Sequence, residues 1–441
     1  MRDRRHLDTP SAGGLSRAPA RRPSRGGPQA RSTHRARHPR SRPPGQPRQP
    51  MGRNVRVLLS VSILFGVAGG IYEFVLPYYL AGRGLSFMNM GYVFAASTLA
   101  MFAVRLGLGN LADRWGSKRL YLLSVASVAL ACFATPFTAG LLLLIALKAM
   151  REVGVLARDT AHPILLYAEG RSRFADYIGK TRGMEFLFQA LGTFAAGLGI
   201  TLIGDRGTLW GAALALGAAL LLLGLGVRAP HRAPAVRGAG MRQLLTFDLP
   251  RNLRVIMAAN FVFSVGLSTS HCFIMPLFFS EKFGVSASAV STVMVIHRLT
   301  AVLPLLLAGY LPVRHYRSLY IATMAFEGIA IAAGGLVPTF LGAAAVWLLH
   351  DLLGAGVWTP IQSAIIQDAC REGSRGLDLS KTLAFSALGG AIGPILAGHL
   401  AGISISAPYV VSGLLVTASA GVLFSLRLAP KTEAAVQAAA G

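Results

Sequence analysis

The chain has 441 residues, of which 53% are hydrophobic and only 14% charged, and its mean hydropathy is +0.53. A soluble chain needs a charged surface of roughly a quarter of its residues, so a water-soluble enzyme or scaffold is excluded. The net charge of +25 points first to nucleic acid, but its distribution along the chain assigns it elsewhere.

Residues 1–50 carry thirteen Arg, two acids, many Pro, Ser and Gly, and almost no large apolar residue. Such a stretch buries no core and is expected to be disordered. One reading is an arm for anionic lipid or nucleic acid. The plainer reading is that translation starts at Met51, whose Met51-Gly52-Arg53-Asn54-Val55-Arg56 is a short basic lead into an apolar helix. No signal peptide is expected before it.

Twelve apolar runs follow, at 57–80, 88–110, 119–138, 140–166, 183–204, 207–227, 254–279, 287–311, 317–337, 339–367, 381–403 and 407–427. Each is close to the ~20 residues that cross a bilayer as a helix. The runs are continuous and rich in Leu, Ala and Gly rather than alternating, so helices, not a barrel, satisfy the backbone in lipid. The expected fold is an all-α membrane protein with twelve transmembrane helices in two six-helix pseudo-symmetric bundles. The expected divisions are a basic tail 1–50, a first bundle 51–227, a cytoplasmic linker 228–253, a second bundle 254–430 and a tail 431–441.

With the N-terminus inside, the inner loops and the C-terminal tail hold twenty Lys and Arg, from Arg114 to Lys431, and the outer loops hold three, Arg83, Arg206 and Lys282. That asymmetry obeys the positive-inside rule and fixes both termini in the cytoplasm. Much of the +25 is therefore tail and topology, and no nucleic-acid partner is expected.

The halves repeat at an offset near 200 residues. Phe74-Val75-Leu76-Pro77 is answered by Phe273-Ile274-Met275-Pro276, and Gly84-Leu85-Ser86 by Gly284-Val285-Ser286. Gly109, Leu111 and Arg114 return as Gly309, Leu311 and Arg314, and Gly154 as Gly354. A parallel repeat with a site between its halves is a transporter architecture.

After the second span stands Gly109-Asn110-Leu111-Ala112-Asp113-Arg114-Trp115-Gly116-Ser117-Lys118-Arg119. It is similar to the loop signature of the major facilitator superfamily, with Ser117 in place of one basic residue, and the resemblance covers roughly 51–430. It implies that Gly109, Asp113, Arg114, Gly116 and Lys118 form a gate at the inner face. Asp113 is expected to latch the halves at the start of the eleventh helix, near Asp378, and Arg114 to pair with Asp159. The resemblance also implies that helices 1, 4, 7 and 10 line a central cavity. In span 11, Gly389, Gly393, Pro394 and Gly398 look like the Gly-Pro element of drug:proton antiporters, which carry it on helix 5. Close helix packing explains these residues equally well.

Ionisable residues inside a membrane are costly, so each is a functional candidate. Glu73 in span 1 is a candidate proton carrier. Span 4 carries Lys148, Arg151, Glu152, Val155, Arg158 and Asp159 within an arc of about 120°, a polar stripe suited to a cavity wall. The bland reading is that Lys148 and Arg151 neutralise Glu152 and stabilise packing. Asp351 takes the repeat position of Arg151, so the two are expected to pair across the cavity. His271, His297 and Arg298 complete the candidate substrate and proton site. Glu327 is expected to pair with a cation of helix 8. Glu185, Gln189 and Gln362 are weaker candidates, and Arg105 is expected to snorkel.

Cys132, Cys272 and Cys370 show no disulfide or zinc spacing. The chain has neither a Walker motif nor a nucleophile elbow. No cofactor, no metal and no enzymatic activity are expected. The function expected is proton-coupled efflux of a small molecule by a membrane-embedded monomer. An anionic-metabolite transporter and a transport-inactive scaffold are the alternatives.

Overall fold

The computed structural model describes residues 51–170, 173–228, 248–306, 315–371 and 375–428. The basic tail 1–50, most of the linker, the repeat residues Gly309, Leu311 and Arg314, and residues 429–441 lie outside them. The described residues are helices with short connections. The first four spans are α1 (Arg53–Gly82), α2 (Phe87–Trp115), α3 (Ser117–Ala134) and α4 (Leu141–Glu169). Residues Phe174–Gly226 continue as helix, interrupted where Gly204 takes φ 72°. Only glycine adopts that left-handed conformation at no steric cost. The chain folds back there, bringing Gly199 against Thr208, and α5 (174–203) and α6 (205–226) become separate spans.

The second half starts with a broken span, α7 (Arg251–Ser270) and α8 (Ile274–Phe283). Next come α9 (Ala287–Leu306) and α10 (Tyr316–Leu336). The tenth span is α11 (Phe340–Leu349) and α12 (Gly356–Ala369), joined by a π-helical turn over His350–Ala355. The last two are α13 (Arg375–Ile403) and α14 (Ala407–Val422). Among the described residues nine stretches are long and apolar enough to cross a membrane, and one of them, Asp176–Gly226, is the α5–α6 pair. With α4 and α9, which carry charged residues of the site, the spans number twelve, in two bundles of six.

The apolar runs are apolar outside as well as in. Leu142, Leu202, Leu225 and Ile403 are each about four-fifths exposed or slightly more. Residues of this kind spread around a helical bundle require lipid as solvent.

The 200-residue repeat is also a repeat of contacts. Asn54, at the start of α1, donates to the Arg228 carbonyl and accepts from the Arg228 N–H after α6. Asn252, at the start of α7, does the same with the carbonyl and N–H of Arg427 after α14. Each bundle is thus clasped where its first helix meets the exit of its last. Lys118 donates to the Gly224 and Val227 carbonyls at the end of α6, and its counterpart Arg317 donates to the Phe424 carbonyl. Both cations meet the orphan carbonyls and the negative dipole end of the sixth helix of their bundle. Gly154 lets α4 approach α3 near Ser124 and Val128, and Gly354 lets the tenth span approach Glu327 of α10.

One end of the molecule carries the connections that follow odd-numbered spans, at 83–86, 135–140, 204, 284–286, 337–339 and 404–406. Among the described residues, the close contacts between the halves lie level with the molecule's middle or towards this odd-loop end. A Cβ on Gly91 of α2 would stand 2.5 Å from the Pro394 carbonyl oxygen of α13, and one on Gly398 would stand 2.6 Å from that of Phe87. Gly197 of α5 meets the Ser291 hydroxyl of α9 in the same way. Tyr78 of α1 donates to the Pro276 carbonyl and lies 2.7 Å from Ser280 Oγ of α8.

Candidate functional site

Below this seam the halves enclose a cavity of about 530 Å³. Its walls come from α1, α2, α4 and α5 on one side and from the break between α7 and α8, α8, α9 and the π-helical turn on the other. At 1.5 Å per residue, its lining in α4 and α9 lies about 10–17 Å from the odd-loop end, near the middle of a bilayer core of about 30 Å. Glu73, Lys148, Arg151, Glu152, His271, His297, Arg298 and Asp351 all line it. Eight residues singled out one by one along the chain are therefore brought to a single chamber.

On the first-half wall the α4 stripe folds onto α1. Lys148 and Arg151 both ion-pair with Glu152, the latter at 2.5 Å. Tyr72 of α1 stacks its ring under the Arg151 guanidinium, 4.6 Å from the ring centre, and Phe94 of α2 faces Lys148 at 4.8 Å. These cations are held by one carboxylate and two aromatic faces, which lowers the cost of burying them.

Glu73 stands differently. Its carboxylate accepts a 2.8 Å hydrogen bond from Gln189 of α5. It lies 3.5 Å from Arg151 of its own half and 3.5 Å from Arg298 of the other half. Its side chain is 45% exposed to the cavity. It is a carboxylate shared loosely between cations of two bundles.

Asp351 is not paired with Arg151 as the repeat position suggested. Its Oδ2 is 2.6 Å from His297 Nε2 and its Oδ1 is 3.5 Å from His350 Nε2. Arg151 turns to Glu152 and Glu73 within its own half, because those acids are nearer and need no cross-cavity reach. His271 sits at the break between α7 and α8, with its Nε2 3.0 Å from His350 Nε2. The spacing of these histidines along the chain gives no metal signal, yet the fold gathers His271, His297 and His350 with ligand atoms within 4.8 Å of one another.

In the loop motif, Gly116 takes φ 83° and turns α2 into α3. Lys118 reaches α6 of its own half rather than the other bundle. The side chains of Asp113 and Arg114, and Gly109, lie outside the described residues. Asp159, the expected partner of Arg114, binds Arg158 and Arg182 at 2.9 and 3.0 Å. Asp378 at the start of α13 is gripped by Arg371, whose Nε and Nη2 both donate to it, while Nη1 donates to Asp248. The bond to Asp248 and the Arg371 charge hold the Asp248 carboxyl below its ordinary value. In α13, Gly389 and Gly393 meet the α7 backbone at Phe261 and Ser268, while Pro394 and Gly398 meet α2.

Three features escaped the reading of single spans. Arg158 is wholly buried and donates to Glu185, Asp159, Ser62 and Tyr121, tying four helices of the first bundle. The repeat-related place in the second bundle holds a neutral set in which Gln362 donates to Asn260 and Tyr320. Glu327 accepts from Trp358 Nε1 rather than meeting a helix-8 cation. Gln189, a weaker candidate in the sequence, reaches Glu73, and Glu185, Gln189 and Thr193 recur every fourth residue along the face of α5 that packs on α1.

The architecture matches solved transporters. Over 84% of this chain and 98% of the other, it is similar to the nucleoside transporter NupG, at 16% identity and a TM-score of 0.65. It resembles a bacterial homologue of the human lysosomal transporter Spinster, in its inward-facing and unoccupied conformation, at 14% identity and a TM-score of 0.65 over 85% and 96% of the two chains. The human organic anion transporter MFSD10 (TETRAN) matches at 16% identity and a TM-score of 0.58 over 84% and 99%. No curated protein matches. The family model described as Major Facilitator Superfamily matches residues 15–168 and 256–441. The chain belongs to the major facilitator superfamily of membrane transporters.

Proposed function

We propose that this transporter is a proton-coupled exporter of a small organic solute, with Glu73 as the group that trades a proton against substrate. The observation that supports it is the position of Glu73 between Arg151 and Arg298, cations of opposite halves, with nearly half its surface open to the cavity. Ionised, this carboxylate attracts both halves to one point. Protonated, it releases Arg298, and the attraction between the bundles at the cavity falls. A proton thus changes the balance between conformations, which coupling requires. The nucleoside and organic-anion substrates named for two structural neighbours support an organic solute, and the aromatic lining from Tyr72, Phe74, Phe94 and Phe186 suits one. The charge asymmetry of the loops supports a cell-membrane protein with the odd-loop end outside and both termini in the cytoplasm.

A thermal-shift screen of nucleosides, aromatic carboxylates and amphipathic cations selects a probe, which is then followed in proteoliposomes. With an imposed pH gradient, Glu73→Gln is expected to lose gradient-driven transport by about 100-fold or more, the order expected when a proton-transfer group is removed. It retains exchange of labelled for unlabelled probe. Gradient-driven transport at the wild-type rate in that variant rules Glu73 out as the carrier.

A second reading, a carrier of an anionic metabolite, is favoured by Arg298. Its distance to Glu73 exceeds a hydrogen bond, so a substrate carboxylate could take that place. Arg298→Gln abolishes both exchange and net transport if the substrate is an anion held there. It leaves exchange intact and removes only the gradient dependence if the first reading holds.

A further inference from the structure

The transport reading uses Glu73 and the cations around it, and leaves the opposite wall unexplained. There, three imidazoles and a carboxylate come from three spans. His271 stands at the break before α8, His297 on α9, and His350 and Asp351 at the start of the π-helical turn. Such turns recur at functional sites because they re-aim side chains out of helical register.

The distances are those of a ligand set. A tetrahedral ion with bonds of 2.0–2.1 Å to nitrogen and oxygen holds its ligand atoms about 3.3 Å apart. Here His271 Nε2 and His350 Nε2 are 3.0 Å apart, His350 Nε2 and Asp351 Oδ1 3.5 Å, and His297 Nε2 and Asp351 Oδ2 2.6 Å. The three imidazole nitrogens lie within 4.8 Å of one another, so contractions of up to about 1.5 Å in the widest separation admit an ion.

The orientations agree. His350 Nδ1 is directed at the Trp347 carbonyl, which can only accept, so the proton sits on Nδ1 and the Nε2 lone pair faces the cluster. His271 Nδ1 is 2.8 Å from Ser270 Oγ, which is itself 2.8 Å from Ser412 Oγ. The His297 ring stacks on the Trp347 indole, 4.2 Å between centres and 15° from parallel. Hydrogen-bond partners on the far nitrogen, as His350 and His271 have, are what fix metal-binding imidazoles, and the stack on Trp347 orients His297. His297 Nε2 is buried close to Asp351 but lacks the alignment of an N–H···O hydrogen bond.

We propose that His271, His297, His350 and Asp351 bind one divalent transition-metal ion of the Zn²⁺ class. Three imidazoles and one carboxylate suit an ion of borderline softness and disfavour Mg²⁺ and Ca²⁺, which prefer all-oxygen shells. All four ligands belong to the second half, so the ion fastens spans 7, 8 and 10 together and puts positive charge beside Arg298 in the cavity wall.

The test is binding, independent of transport. Full-length protein in detergent, stripped with EDTA, is titrated with Zn²⁺ and with Co²⁺. One equivalent is expected to bind and raise Tm, and Co²⁺ to give the visible ligand-field bands of a tetrahedral nitrogen and oxygen site. His350→Ala and the milder His297→Gln are each expected to weaken binding by on the order of 100-fold. The metal-free Tm of each variant checks that it is folded, and His297→Gln, at the cavity surface, stands if the buried His350 cannot be replaced. The combined variant His6→Ala, His34→Ala and His38→Ala leaves the site intact. No saturable binding to the wild type overturns the proposal. Binding that survives both site variants, or that is lost with the three tail histidines, overturns it as well.

Discussion

At the scale of single residues, what a charged group does is set by its partners. Lys148 and Arg151 are deep in the wall, yet each finds Glu152, so they make a neutralised stripe as much as a binding surface. Glu73 is the exception, because its two arginine neighbours stand at 3.5 Å on opposite halves. That difference is why the coupling experiment rests on Glu73→Gln. At the end opposite the odd loops, Arg371 holds Asp378 and Asp248 together through four side-chain hydrogen bonds. Asp248 is 79% exposed, and its lowered carboxyl value comes first from the Arg371 hydrogen bond and then from its charge. A carboxyl lowered on folding adds stability above its unfolded value, 3.8, and loses it as pH falls through the lower folded value. Asp248→Asn is therefore expected to cost a small amount of Tm at pH 7, and the gap to wild type closes below pH 3.8. A gap that stays constant from neutral pH down through that value contradicts this assignment. The acidic and basic types at these positions were plain in the sequence, but their pairing was not. Asp351 met His297 rather than Arg151, and Glu327 met Trp358 rather than a cation.

At the scale of elements, the repeat is preserved as contacts more than as residues. The clasps of Asn54 on Arg228 and Asn252 on Arg427 use backbone groups of the partner, so only the asparagine needs to be kept. Asn252→Ala loses two hydrogen bonds, each worth about 1 kcal/mol net, and is expected to lose about 1–2 kcal/mol, while Asn54→Ala loses its two to Arg228 and a third donated to the Glu169 carboxylate and is expected to lose more. Urea titration monitored by tryptophan fluorescence reads this, and a loss in Asn54→Ala smaller than that in Asn252→Ala contradicts it. Lys118 and Arg317 show the same economy, since capping the sixth helix of a bundle needs a cation and nothing more. Arg317 thus plays in the second half the structural part that Lys118 plays in the first. The spans themselves were legible because lipid leaves the backbone few options. The break at Gly204 was legible as well, since the fifth run ends there and the sixth begins at 207, but the irregular turns at 271–273 and 350–355 were not, because they follow from packing that no apolar window records.

For the whole molecule, the two bundles meet most tightly at the odd-loop end, where Gly91, Gly197 and Gly398 let backbones touch. Opening the cavity at that end has to separate these contacts. Gly398→Val places atoms where the Phe87 carbonyl now lies and is expected to favour the state open at that end. Cys272 lines the cavity, while Cys132 and Cys370 are buried, so a membrane-impermeant maleimide applied from the odd-loop side reads the opening. Labelling of Cys272 in Gly398→Val several-fold faster than in wild type is the expected result, and an unchanged rate counts against the seam as a gate. The sequence by itself determined the twelve helices, their division into halves, the family and the residues worth watching. It could do so because hydropathy, charge asymmetry and a loop motif are local properties of the chain. Only the tertiary structure decided which of those residues meet. The rotation of each helix and the register of one bundle on the other choose the partners, and these placed Glu73 between two arginines and brought three distant histidines together.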